Sequence, residues 1–519
     1  MRIAFHVSYL RMATRWPLIL LLIMPLVTVT APPAAARQRK PPSAARQKTP
    51  QPPATPDILL ARSGFADEDV GYLLFDPSDG SAIEVHRADE PRIPASTSKV
   101  VTMIAALKIL GEDYRFETTL LTTGEINDNT LRGNIYLRGG GDPTLTTDDL
   151  RELVFALQQA GVERIIGSFI FDDSLLTRTD FIDPKISVTA PYNPGLSALS
   201  VNYNRIQLHW QQKPRLATLT SAIFSHAKGG AVSVEGITID RLPDDFDRHI
   251  AFLHEPVANN GVSGDRWLLS PRLPLEGWEV LPVKLDPGRI TASLFRTMCR
   301  QRGIELPTPE RAPVPAGAQV LATHQSEPLP DIAAGVLHYS NNLSAELVGL
   351  VASRKLCVHP VSLQESAATL TNWYQRTLPD APWENFLYAN HSGLTTATRI
   401  SPRQMAAILR YGWALPIGQS TFPELLSPPR WERVKGPEHI AVRAKSGTMN
   451  YADGLAGFLT TTQGRQLGFV VLITDFPKRL AQDGTQDVRA AAPEPEGSSW
   501  TMRAKGLERA LVNSWMTRY

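Results

Sequence analysis

The sequence predicts a mixed α/β fold interrupted by a β-rich insertion, and three observations predict it. A hairpin pattern and then a nearly all-apolar helix occupy the region before residue 111. Helical periodicity and three strand-like runs return after about residue 340. The stretch between, about 200 residues, reads as short strands and turns rich in Gly, Pro and Asp.

From Leu59 to Val85 the chain alternates and breaks like paired strands, with Asp79-Gly80 as the turn between apolar runs. Val100 to Leu110 is apolar nearly all round and stops at Gly111, the pattern of a deeply buried helix with a glycine terminator. Residues 116 to 318 include FETTLLTTG, LRGNIYLRGGGDPTL, RIIGSFIFDD and GGAVSVEGITID, which read as strands closed by turns. Leu343, Leu347, Leu350 and Val351 then share a helical face, as do residues from Met405 to Leu409. IAVRAKSGT, DGLAGFLTTT and QLGFVVLITDF follow as strands, the last two joined through Gln463-Gly464. Trp500, Ala504, Leu507, Leu511 and Trp515 fall on one face of a final helix suited to cover a sheet.

A chain of 519 residues exceeds one ordinary core, so two or three domains are expected. Its formal charge of +2 is a poor guide, because eight of the 53 basic residues precede Asp57, the first acid. The remaining 45 bases face 51 acids, so the body is net negative and nucleic-acid binding is disfavoured. The basic start, the apolar run from Trp16 to Thr30 and Ala34-Ala35-Ala36 have the layout of a secretory signal over residues 1–36. That run is short for a membrane span, which needs about 20 apolar residues, and Pro17 and Pro25 interrupt it. Residues 37–56, basic and Pro-rich, read as an extended linker. The expectation is an exported protein, periplasmic or envelope-associated, with at most peripheral contact to membrane or wall. Cys299 and Cys357 form no disulfide framework and no zinc spacing, and their pairing stays open in the sequence.

The chemistry lies in three motifs: Ser96-Thr97-Ser98-Lys99, Ser340-Asn341-Asn342 and Lys445-Ser446-Gly447-Thr448. Their order reads as a serine acyl-transfer site for D-alanyl-D-alanine or a β-lactam. Serine is a poor nucleophile without a base. Ser96 and Lys99, three apart at a helix start, share a face, and burial beside Lys445 would make Lys99 a neutral amine. Ser340 offers a proton relay, Asn342 an amide for the substrate peptide group, and Lys445, Ser446 and Thr448 a carboxylate pocket on a strand. Each motif alone is weak. Ser225-His226-Ala227-Lys228 repeats the first and Ser200-Val201-Asn202 the second, but neither precedes an apolar helix. GGGDP at 139–143 lacks the Gly-Lys-Ser/Thr of a phosphate loop and reads as a strand-to-turn element. His391 has no partner at metal-ligand spacing and reads as structural or pocket-lining; no metal and no cofactor is expected.

With these residues the chain resembles the penicillin-binding proteins of the D-alanyl-D-alanine carboxypeptidase and endopeptidase type. Within them it resembles the low-molecular-mass class C group typified by penicillin-binding protein 4. The likeness runs from about Ala61 to Phe476 through PASTSK, LGEDYRFET, YLRGGGDPTL, APYNPGLSALSVNYN, Leu281 to Phe295, SNNLSAE and NHSGL. It implies a transpeptidase/β-lactamase-like domain, an antiparallel sheet flanked by helices with a helical subdomain, interrupted by β-rich inserted domains. The boundaries expected are 57–117 with 318–519 for the discontinuous catalytic domain and 118–317 for the insertion, as two small domains. It also implies an oxyanion hole from the backbone N–H groups of Ser96 and Thr448. Ser446 stands where threonine is more usual in the family. In the family an acid just before the tyrosine matching Tyr192 reads the stem peptide; the closest position here is Ser187, which is no acid, and Asp180 and Asp183 are candidates only.

The function expected is a serine-type D-alanyl-D-alanine carboxypeptidase or DD-endopeptidase on peptidoglycan stem peptides, with β-lactams as inhibitors. The alternatives are a catalytically weak envelope scaffold and a β-lactamase, the latter disfavoured by the long insertion.

Overall fold

The computed structural model describes residues 54–519 apart from 214–215, 224–231, 234–235, 248, 260–261, 358–361, 434–439, 486–487 and 489–494. The expected signal at 1–36, most of the linker at 37–56 and the Ser225 to Lys228 decoy lie outside the described residues.

The central sheet has five antiparallel strands in the order Ala82–His86, Val70–Phe75, Gln466–Thr474, Ala452–Thr460 and Val442–Met449. The early hairpin therefore joins the three late strands, and the sheet closes the sequence ends of the catalytic part on each other. The turn forms as its residues dictate: Gly80 takes φ 82°, and the Asp79 carboxylate accepts from Ser81 N at 2.7 Å. Leu59 does not belong to a strand. Pro56–Ser63 is a helix, started by proline at its first turn and ended by Gly64 at φ 74°.

Alternation along the strands sorts side chains to two cores. Leu73, Ala456, Phe458, Val470 and Leu472 face the helices, including Ser98–Leu110, buried from Ser98 through Leu107 and stopped by Gly111. Tyr72, Leu455, Phe469, Val471 and Ile473 face the final helix Pro495–Arg518 and its Trp500, Ala504, Leu507, Leu511 and Trp515. Each of those two tryptophans removes on the order of 200 Å² from water, an upper bound of roughly 5 kcal/mol apiece.

The insertion has its own core. Its main sheet runs Pro309–Arg311, Phe169–Asp172, Ile135–Gly139, Glu117–Thr122 and Gln319–Gln325. Strand pairing thus carries the inserted sheet through Gln325, beyond the 118–317 span read from composition. A four-stranded and a three-stranded sheet follow within residues 205–282. Two helices, Thr147–Gln159 and Pro287–Gln301, pack into this core where turns and strands were expected. Their signal was present: Thr146 and Asp149 form a capping box before Leu150, Leu153, Val154 and Leu157. Cys299 and Cys357 are both free thiols. Among the described residues no helix is long and apolar enough to cross a membrane.

Candidate active site

Ser96 sits in a single 3-10 turn, Ala95–Thr97, that feeds directly into the buried helix. Ala95 adopts φ 47°, and the Thr97 hydroxyl bonds Pro94 O at 2.7 Å, which fixes the turn. One helical turn on, Lys99 has no solvent exposure. Its amine is 2.9 Å from Ser96 Oγ, 2.7 Å from Asn342 Oδ1 and 2.7 Å from Ser392 O. Burial pushes the Lys99 amine well below the usual lysine range, and the neighbouring Lys445 pushes it further. Glu346 acts in the opposite direction.

The second motif spans two helix ends. Ser340 caps Leu329–Tyr339 in the left-handed region at φ 59°, and the Asn341 side chain caps Asn342–Leu356 by accepting from Ser344 N at 3.0 Å. Asn342 therefore stands at the first helical position, where its Oδ1 accepts from Lys99 and its Nδ2 donates to Tyr192 O at 2.9 Å. Ser340 is half-buried, and among the described residues its hydroxyl makes no hydrogen bond, to Ser96 and Lys99 included.

The third motif lies on the edge strand Val442–Met449. Lys445 is buried and donates to Ser446 O at 2.7 Å; burial, then nearby Lys505, lowers its pKa to about 7. Ser446 and Thr448 are exposed on the opposite face of that strand. Gly447 explains the contact between motifs. A Cβ there would lie 2.5 Å from Pro94 O and 2.8 Å from Ser96 N, so only glycine lets the strand backbone touch the Ser96 turn.

Sequence reasoning missed the support beneath Lys99. Glu346, fully buried, accepts from His391 N at 3.0 Å and Ser392 N at 2.9 Å, and so aims the segment that carries Ser392 O. Burial raises the Glu346 pKa, against those hydrogen bonds. A charged residue one turn after Asn342 on an otherwise apolar helix was the available signal. His391 is structural: Ser366 Oγ lies 2.7 Å from its Nε2, burial lowers its pKa to about 3, and its ring covers Gly349, where a Cβ would come within 2.1 Å.

The remaining candidates divide by burial. Asp183 is buried and accepts from Lys185 N at 2.8 Å, which commits it to its own turn, while Asp180 is exposed. Ser187 is buried and 3.0 Å from Thr189 Oγ1. The second Ser-x-Asn is a folding element: Asn202 Nδ2 donates to Thr147 Oγ1 at 2.6 Å, and Ser200 Oγ to Ser197 O at 2.7 Å. Asp149, Glu152 and His324 bring their side-chain donor atoms within 4.8 Å of one another. His324 also lies 3.5 Å from Asp142, whose carboxylate raises its pKa, so the group is an ion-pair cluster around a histidine.

Sheet, buried helix, serine–lysine pair and edge-strand lysine together define a penicillin-binding-type serine acyl-transfer fold. The chain belongs to the D-Ala-D-Ala carboxypeptidase 3 (S13) family, whose profile matches residues 58–227 and 279–492. It is 25% identical over 441 residues to the D-alanyl-D-alanine carboxypeptidase DacB of Haemophilus influenzae, covering 78% of this chain and 85% of that one. A D-alanyl-D-alanine carboxypeptidase of an Actinomadura species is 26% identical over 333 residues, 57% of this chain and 59% of that one. The crystal structure of penicillin binding protein 4 from Haemophilus influenzae superimposes with a TM-score of 0.67 at 21% identity, over 86% of this chain and 96% of that one.

Proposed function

We propose that this chain is a serine-type D-alanyl-D-alanine carboxypeptidase with DD-endopeptidase capacity, acting on peptidoglycan stem peptides through an acyl-enzyme at Ser96. The observation that carries the reading is the set of contacts around Lys99. A neutral amine has two N–H bonds and one lone pair. Asn342 Oδ1 and Ser392 O can only accept, so they take both hydrogens and leave the lone pair for the Ser96 hydroxyl.

Ser96 Oγ attacks the carbonyl of the penultimate D-alanine as its proton moves to Lys99. The developing oxyanion accepts from the backbone N–H groups of Ser96 and Thr448. Collapse breaks the C–N bond, and a proton from Lys99, relayed by the unengaged Ser340 hydroxyl, goes to the departing amine. Water then attacks the ester carbonyl as its proton passes to Lys99, and collapse breaks the C–Oγ bond as Lys99 hands that proton to Ser96 Oγ, which restores the hydroxyl and the neutral amine. Asn342 keeps a second lone pair and a second N–H for the substrate amide. Lys445, Ser446 and Thr448 receive the terminal carboxylate. β-Lactams follow the same first step, but the broken amide stays tethered and the ester persists. Cleavage of a cross-link differs only in the size of the amine that leaves.

The same reading puts the protein in the cell envelope after export, on the strength of residues 1–36. It divides the chain into a catalytic part at 57–117 and 318–519 and an insertion at 118–317, with the inserted sheet reaching Gln325. Mass spectrometry of pentapeptide monomers and cross-linked dimers, after incubation with the protein and with Ser96→Ala, tests it. Loss of terminal D-alanine or conversion of dimer to monomer, abolished in the variant, is the expected result. Unaltered fragments with the unmodified protein would leave a binding scaffold.

A further inference from the structure

The carboxylate pocket contains a cation that the three motifs do not supply. Lys505, on the final helix, donates to Thr448 Oγ1 at 2.7 Å, and its side chain is 44% exposed. Asp453 lies directly across the sheet from Thr448 and holds Lys505 from below at 3.4 Å. Asp453 is completely buried with Glu508 beside it; burial raises both carboxyls, and the negative charge of Asp453 raises Glu508 further. The ion pair with Asp453 and the hydrogen bond to Thr448 together hold the Lys505 ammonium in place.

Neither of the other two lysines is open to solvent. Lys99 must stay neutral to act as a base. Lys445 is buried, occupied by Ser446 O, and titrates at about 7. Of the three lysines Lys505 alone is open to solvent; its ammonium is held by Thr448 and Asp453, and the exposed hydroxyls of Ser446 and Thr448 share a strand face. The Gly447 contact puts that strand against the Ser96 turn, and a carboxylate one residue beyond the scissile carbonyl lies about 3.3 Å further along an extended substrate.

The geometry points to Lys505 as a specificity-determining residue that binds the free carboxylate of the substrate's last residue, together with Ser446 and Thr448. This assignment rests on Ser96 being the acylated serine. It makes the protein discriminate between a chain end that carries a carboxylate and one whose carboxyl is masked. The Asp453 anchor keeps the ammonium beside Thr448 in the absence of substrate.

The test compares acylation of Ser96 by benzylpenicillin and by its carboxylate methyl ester, followed by intact-protein mass, in the full chain and in Lys505→Met and Lys505→Arg. Loss of a charge-assisted hydrogen bond predicts roughly 10- to 100-fold slower acylation by the free acid in Lys505→Met. The slower ester reaction stays unchanged, and Lys505→Arg retains most of the discrimination. Equal loss for acid and ester would make Lys505 a prop for the edge strand, and no loss for either would make it a surface residue; both overturn the assignment. Failure of penicillin to acylate Ser96 in the unmodified protein would instead overturn the reading of the site itself, and this assignment with it.

Discussion

Two buried lysines, Lys99 in the catalytic part and Lys284 in the insertion, begin from the same physical problem and reach different ends. Both amines donate to backbone carbonyls, Lys99 to Ser392 O and Lys284 to Asn193 O. Burial lowers the pKa of both. Around Lys284 the carboxylates of Asp265 and Asp180 oppose that effect and hold it at about 8. Asp265 also accepts from Lys284 N and Leu285 N and lies 2.6 Å from His254, so the cluster ties several backbone segments together. Around Lys99 the carboxylate that opposes burial, Glu346, is occupied by two backbone N–H groups, and the stronger charge effect comes from a second lysine, Lys445. Burial with carboxylates holds the ammonium form; burial with neutral acceptors and a like charge favours the neutral amine.

The largest effect should come from removing the base. Lys99→Met is expected to slow acylation of Ser96 by penicillin by about 10³-fold, within the range for general-base loss, with the fold retained by circular dichroism. A rate within a few-fold of the unmodified protein would dissolve the contrast between the two lysines. Lys284→Met should do the reverse. Breaking a buried charge cluster costs roughly 3 kcal/mol or more, read as a lower unfolding midpoint, while the molecules that remain folded are still acylated.

The smallest effect is the pH profile, which sharpens the comparison. Lowering pH protonates Lys99 and removes the base, so acylation falls on the acid side. Raising pH through about 7 removes the Lys445 charge, so substrates with a free carboxylate bind more weakly on the alkaline side. The rate of acylation per unit of carboxylate substrate should therefore pass through a maximum, measured by stopped-flow or quenched mass spectrometry. A profile flat from pH 5 to pH 9 would remove both lysines from the titration. The Lys284 cluster, whose hydrogen bonds run to Asn193 O and Asp265 and to neither Lys99 nor Lys445, should leave that profile unchanged.

The two Ser-x-Asn sequences show how far local text carries. Ser340-Asn341-Asn342 and Ser200-Val201-Asn202 are near-equivalents as strings, and the apolar helix after the first was enough to choose between them. The same kind of reasoning placed the hairpin, the buried helix and the three late strands, because periodic burial is written into neighbouring residues. It misplaced Leu59, where a proline and a glycine outweighed alternation, and it passed over two helices whose caps sit among glycine-rich turns.

By itself the sequence determined the order of the motifs, the pairing of Ser96 with Lys99, and the elements that bear them. These are local properties: a serine and a lysine three apart on one helix need no distant partner to share a face. What surrounds Lys99 was decided by tertiary structure alone. Ser392 O and Asn342 Oδ1 stand 293 and 243 residues from Lys99 in the chain, Glu346 aims one of them, and Lys505 arrives from the last helix. A backbone carbonyl carries no residue-type signature, and a surface lysine has no periodicity. Their roles follow only from packing that brings remote segments within hydrogen-bond distance.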